Sequence, residues 1–309
     1  MKFFSPRTTP AQNLAFCAFI AGFDALLCLL GALLPLSSVL LMLMVPLLSA
    51  AVSLFCKGRY LPIYIFGAIG VSLALSAWNI MNTVFYLIPG LLVGVTYGLF
   101  WKLKTPTTLN IFVVALLSTG LFYISILLLS ALFDGVDMIN VLFTFIGRGN
   151  EPISRQIFPL FAFGYSLAQI IITHIFVVYE LRKMGIEEVP GQGQGIYRLV
   201  LALAFLYLAL IFAFLYVPAS YFLLGLGIYW AIVCFLDFYP RIHPITIVLL
   251  ILSLGGSILL FGAFYKQMPP YTGLLLLSAP LSLGAILTYA NRFFLRLRDK
   301  KGPRKARYE

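Results

Sequence analysis

The feature that most limits what this chain can become is how rarely polar residues interrupt it. Ten stretches are apolar over most of their length, near residues 14–34, 37–55, 60–77, 81–101, 109–133, 157–178, 197–216, 219–237, 245–264 and 272–293. About 20 such residues in an α-helix cross the roughly 30 Å of hydrocarbon in a bilayer. Lipid offers no hydrogen bonds, so each run must pair its backbone groups within itself, which a helix does. Only 10% of the residues are charged and 62% are hydrophobic. Soluble domains carry about 25% charged residues, and no fold of this length hides so much apolar surface from water. The sequence predicts an all-α, polytopic transmembrane bundle of about ten spans. The opening segment "MKFFSPRTTPAQN" is read as the flank of a retained first span, because a second apolar run follows almost at once.

Charge orients the spans. With ten crossings the two termini share a side with the loops after spans 2, 4, 6 and 8. Those segments hold Lys2 and Arg7, Lys57 and Arg59, Lys102 and Lys104, then Arg182, Lys183 and Arg198, then Arg241, with eight more between Arg292 and Arg307. The opposite face has Arg148, Arg155 and Lys266. Basic loops stay in the cytoplasm, so both termini are expected inside, in a cell (plasma) membrane. The net charge of +11 follows from this bias and does not call for a nucleic-acid partner. The tail "RFFLRLRDKKGPRKARYE" is suited to anionic lipid headgroups. Cys17, Cys28, Cys56 and Cys234 lie in or beside apolar runs without metal-ligand spacing, and are expected as buried small hydrophobes.

One polar stretch divides the chain. After "VVYELRKMG" comes "IEEVPGQGQGIYR", where glycine alternates with glutamine behind a proline. It lacks the Lys-Ser/Thr of a phosphate-binding loop. It reads as a linker (186–196) between a six-helix membrane domain (1–185) and a four-helix membrane domain with a basic tail (197–309). The longest outer loop, 134–156, contains an apolar run from Val141 to Ile146 that suits a short interfacial helix or a cap over a cavity.

Two helices carry ladders of small residues. In span 1, Ala11, Ala15, Ala18, Gly22 and Ala25 recur at alternating steps of four and three, and in span 4 Gly90, Gly94 and Gly98 recur at four. Small residues let helix backbones approach closely in lipid, either within the chain or against a second membrane subunit. With its short outer turns and two ladders, the first half resembles the substrate-binding (S) component of energy-coupling-factor transporters. The whole chain is similar in length and helix layout to the YybS-like family of bacterial membrane proteins, most of all over "YLIPGLLVGVTYGLFWKLK". The resemblance implies that Ala11, Ala15 and Ala18 face a coupling membrane subunit served by separate ATPases, and that outer loops close over a vitamin-like molecule or ion. It assigns no ligand residue, since S components use different side chains for each ligand.

Polar residues inside the spans are the remaining signal. Asp24 is the only carboxylate well within one, and a charge there costs at least ~2.5 kcal/mol, so such groups face a protein interior or a cavity. Its own helical face holds Cys17, Ala21, Cys28 and Gly31, all small. It is a candidate cation or proton site, ligand anchor or interhelix hydrogen-bonding group. Span 6 carries Tyr165, Ser166, Gln169, Thr173 and His174; Ser166, Gln169 and Thr173 share a face that suits a cavity wall or interhelix bonding equally. His174 reads as a packing residue, because zinc needs several ligands. Asn79 and Asn82, beside the interfacial Trp78, form a candidate outer site with Arg148, Glu151 and Arg155. The candidate ligand residues are therefore Asp24, Asn79, Asn82, Arg148, Glu151, Arg155, Tyr165 and Gln169, with no metal, no cofactor and no catalytic group. One aspartate and one intramembrane histidine supply no nucleophile–base pair, so an enzyme is not expected. The two functional readings are a binding or uptake component for a small molecule and a non-catalytic envelope scaffold of the MreD type.

Overall fold

The computed structural model describes residues 6–34, 38–133, 135–145, 152–183, 196–236, 244–264, 267 and 269–300. Among them the chain is helical, in eleven helices: α1 (Pro10–Leu33), α2 (Ser38–Phe55), α3 (Leu61–Leu75), α4 (Ala77–Lys102), α5 (Thr107–Leu132), α6 (Met138–Phe145), α7 (Pro152–Lys183), α8 (Ile196–Leu215), α9 (Val217–Leu236), α10 (Pro244–Phe264) and α11 (Pro270–Lys300). Ten of these occupy the ten apolar stretches. Eight are long and apolar enough to cross a membrane, and the described apolar parts of α2 and α10 are shorter. The eleventh, α6, is a short helix in the long loop 134–156, begun by Asp137 Oδ1, which accepts from the amides of Ile139 and Asn140 at 3.2 and 3.3 Å.

Local chemistry sets the helix starts. Pro10, Pro152, Pro244 and Pro270 each stand at a first helical position, where the missing N–H is no loss and the fixed φ fits. At α1, Thr9 Oγ1 accepts from the Gln12 amide and Gln12 Oε1 accepts from the Thr9 amide, a reciprocal cap. Within α4, residues Thr83–Leu87 widen to a π-turn. Pro89, two residues on, has no N–H to offer Phe85, which loosens the turn before it. The Ile88 amide donates to the Thr83 carbonyl, and the Val84 carbonyl accepts instead from Ser125 Oγ of α5 at 3.1 Å.

Contacts divide the chain into two compact units: residues 1–154 with 161–192, and residues 155–160 with 193–309. In the first, α1 and α3 run side by side in the same direction, with Cys17 beside Tyr60 and Cys28 beside Ser76. Helices α2 and α4 form a second parallel pair, and α1 also packs on α2. The second unit is built on the pairing of α8 with α9, where Gly227 lets the helix come down on Leu206, with α11 against both. Trp230 is buried there, edge-on to Tyr197 and Tyr229.

Both units carry large apolar side chains on their surfaces, over cores that are themselves mostly apolar. Phe66 is 75% exposed and Phe214 74%, whereas Asp24 is 0% exposed and Ser49, Ser53 and Ser72 are equally enclosed. In water that arrangement would forfeit ~1.5–3 kcal/mol for each large apolar side chain left outside. A hydrocarbon solvent removes the penalty, so the exterior identifies the surrounding medium as lipid.

Candidate functional site

The interior of the first unit is built around Asp24. Its face of α1 meets the Tyr64–Ala68–Ser72 face of α3, and Tyr64 Oη donates to Asp24 Oδ2 at 2.6 Å. Small residues at 17, 21, 28 and 31 leave the room that the sequence suggests, and the tyrosine enters it. Asp24 Oδ1 is buried with no hydrogen-bond partner among the described residues, as are Ser72 Oγ and Asn82 Nδ2. One turn along α1, Cys28 Sγ lies within reach of Ser76 Oγ (3.5 Å) and Thr83 Oγ1 (3.4 Å). At Gly31 a side chain would run into Leu41 and the Asn82 amide. These contacts bring α1, α2, α3 and the start of α4 together around one polar core.

A second polar junction lies between α2, α5 and α7. Pro46 has no N–H, so the carbonyl of Met42 loses its helical donor. Gln169 Nε2 supplies one across the bundle at 2.7 Å, while Gln169 Oε1 accepts from Ser118 Oγ at 3.4 Å. Both ends of this candidate ligand residue are thereby engaged in joining helices, and of its two readings the interhelix bond is what the geometry displays. Tyr165 stacks obliquely on Phe122, ring centres 5.3 Å apart. His174 Nδ1 shares a 2.6 Å hydrogen bond with the hydroxyl of Tyr97. Among the described residues no three His, Cys, Asp or Glu side chains converge as metal ligands.

The outer candidates divide differently. Asn82 is buried and Asn79 half-buried, both in the first unit, whereas Arg155 is exposed and clusters with the second. Arg148 and Glu151 lie outside the described residues. The ladders also part. Gly90, Gly94 and Gly98 of α4 meet Val45, Ser49 and Ser53 of α2 in constant register. A Cβ at Gly94 would overlap Ser49 Oγ and the Pro46 carbonyl, and one at Gly98 would stand 2.8 Å from Ser53 Cβ. Of the two readings of this ladder, the geometry displays packing within the chain, with α2 against all three glycines. In α1, Ala11, Ala15 and Ala18 are exposed, Gly22 is half-buried with open space above it, and Ala25 is enclosed. Steps averaging 3.5 residues drift ~20° per heptad around a helix, which carries the seam from the surface into the core.

Tyr64 and the Met42 carbonyl, which lacks a helical donor, are functional groups that the sequence analysis did not single out. For the carbonyl a signal exists, since Pro46 inside an apolar run always leaves the oxygen four residues earlier without its donor. For Tyr64 there is none, as nothing in "LPIYIFGAIG" distinguishes a buried tyrosine from an interfacial one.

Between α2 and α7 lies a half-open apolar cavity of roughly 180 Å³, lined by Leu47, Ala51, Phe176 and Val177, with Glu180 at its edge. That carboxylate is paired with Lys183 at 2.7 Å.

Fold and interior together define an integral, multi-pass, all-helical membrane protein with a polar core in its first unit. Set against family models, curated proteins and solved structures, the chain matches none.

Proposed function

We propose that this protein is a membrane-embedded binding component for a small molecule or ion, of the uptake type that S components represent, with Asp24 as the anchor. The observation that carries the reading is a wholly enclosed carboxyl group with one oxygen held by Tyr64 and the other bare. An interhelix bond to a tyrosine needs only one acceptor. Leaving a second buried oxygen unpaired costs about 1–3 kcal/mol, and ionisable groups within membranes mark substrate and ion pathways by default. A proton, a cation or a ligand N–H or O–H satisfies it. The charge distribution supports an arrangement with both termini cytoplasmic, so that the ligand arrives from outside. The chain has no nucleotide-binding loop, and pumping would fall to separate ATPase and coupling subunits.

The test is ligand-induced thermal stabilisation of the protein purified in mild detergent, screened against alkali cations and cationic or amide-bearing vitamins. Asp24→Asn keeps an acceptor for Tyr64 and is expected to insert and melt like the parent while losing the stabilisation. A variant that responds as the parent does would remove Asp24 from the site. Clean isolation as a lone chain, without an ATPase, would count against an uptake complex.

The exposed Ala11–Ala15–Ala18 strip favours a second reading, an envelope scaffold that uses α1 to hold a partner. Depletion that alters cell shape and leaves nutrient uptake normal would select it.

A further inference from the structure

Cys17 and Cys56, 39 residues apart, bring their sulfurs to 3.9 Å, with the Cys17 S–H donating toward Cys56. This is van der Waals contact between a thiol within α1 and one just past the end of α2, and closing it to the ~2.05 Å of a disulfide requires side-chain rotation over about 2 Å. The surroundings hold the pair in place. Asn13 Nδ2 donates to the Thr9 carbonyl at 2.7 Å, and its Oδ1 accepts from the Lys57 amide at 2.9 Å. The Arg7 amide donates to the Phe55 carbonyl at 2.9 Å, and Lys102 Nζ donates to the carbonyl of Cys56 itself at 2.7 Å. The starts of α1 and α3 and the ends of α2 and α4 are thus tied at one point. The pair is unlike the other two cysteines. Cys28 faces hydroxyl groups, and Cys234 lies in the second unit.

We infer that Cys17 and Cys56 form an oxidisable dithiol site, at which hydrogen peroxide converts the two thiols into a disulfide joining α1 to the end of α2. The first step is attack of the Cys56 sulfur on a peroxide oxygen. The O–O bond breaks, the distal oxygen leaves as water after taking a proton, and Cys56 becomes a sulfenic acid. Cys17 then attacks that sulfur, the S–O bond breaks, a second water leaves, and the S–S bond forms. Two thiols are oxidised by two electrons and one peroxide is reduced to two waters. The order of attack follows from the surroundings of Cys56. The Cys17 hydrogen bond lowers its thiol below the ordinary value, and the Arg7 and Lys102 charges act in the same direction against the effect of burial. The thiolate is the nucleophile. Both thiols are 2% exposed, so oxidant reaches them as the helix ends breathe. On the proposed arrangement with both termini cytoplasmic, this end of the unit lies toward a compartment that keeps thiols reduced, and the bond forms under oxidant exposure and is reversed by a dithiol reductant.

The experiment uses the full-length protein in isolated membranes, exposed to hydrogen peroxide, denatured, alkylated with a maleimide and mapped by peptide mass spectrometry. The expected result is a Cys17–Cys56 cross-linked peptide, lost on dithiothreitol treatment, with Cys28 and Cys234 recovered alkylated. In Cys17→Ser the link is lost and dimedone captures a sulfenic acid on Cys56; in Cys56→Ser dimedone captures none on Cys17. The measurement on the parent protein needs no variant to fold. Recovery of both thiols alkylated under conditions that oxidise a free-thiol control protein would overturn the inference. So would links chiefly between copies, or sulfenic acid trapped on Cys17 alone.

Discussion

Two helices of the first unit carry the same chemistry in their sequence and meet opposite fates. The glycine ladder of α4 is closed against α2, while the N-terminal part of the alanine ladder of α1 is exposed among Leu14, Phe19 and Phe23. A ladder of small residues records that some backbone can come close. It does not record whose. What decides for α4 is that α2 presents its own small residues, Ser49, Ala50 and Ser53, in matching register, with serine hydroxyls bonded to the Gly90 and Val95 carbonyls at 3.2 and 2.9 Å. The packing is therefore both close and polar. The outward run of α1 has no such counterpart among the described residues, and it is where the two functional readings place an external partner.

The contrast is open to direct attack. Its largest expected effect is at Gly94→Ala, where the new methyl meets a backbone carbonyl that cannot rotate away. Overpacking of a tight core costs about 1–3 kcal/mol or more, and this position stands at or above the top of that range. Loss of monodisperse protein by fluorescence-detected size exclusion would register it; a variant that behaves as the parent would mean that α2 and α4 are not in contact here. Next is Gln169→Leu, which strips the Met42 carbonyl of its donor. The expected loss is about 1–2 kcal/mol, since a bared buried carbonyl is costly but interhelix bonds in membranes average below 1 kcal/mol. It is read as a lower melting temperature, and Gln169→Met, which fills similar space without a donor, should not restore it. Tyr64→Phe leaves both Asp24 oxygens bare and is expected to cost about 1 kcal/mol through the lost bond, again by melting temperature. The smallest effect is at Ala15→Leu, within about 0.5 kcal/mol for the isolated chain. A large loss there would erase the distinction between the ladders. Loss of a co-purifying subunit with unchanged melting would sharpen it.

How far the sequence reaches is clear from particular residues. Asp24 is identifiable as a buried group with empty space beside it, but the tyrosine that fills that space stands 40 residues away on α3. Gln169 reads equally as cavity wall or helix tie until its amide is seen on Met42, 127 residues earlier. The short helix α6 is visible beforehand in its apolar run. The π-turn of α4 is not, although Pro89 provides its cause.

By itself the sequence determined the solvent and the helices. Hydrocarbon demands that each segment satisfy its own backbone, so apolar length alone fixes where helices stand, and residues a few positions apart settle the caps and breaks. Only the tertiary structure decided which polar groups meet, which ladder is closed and which stays open. Those outcomes turn on the rotation and offset of helices about their axes, and packing between residues far apart in the chain sets both.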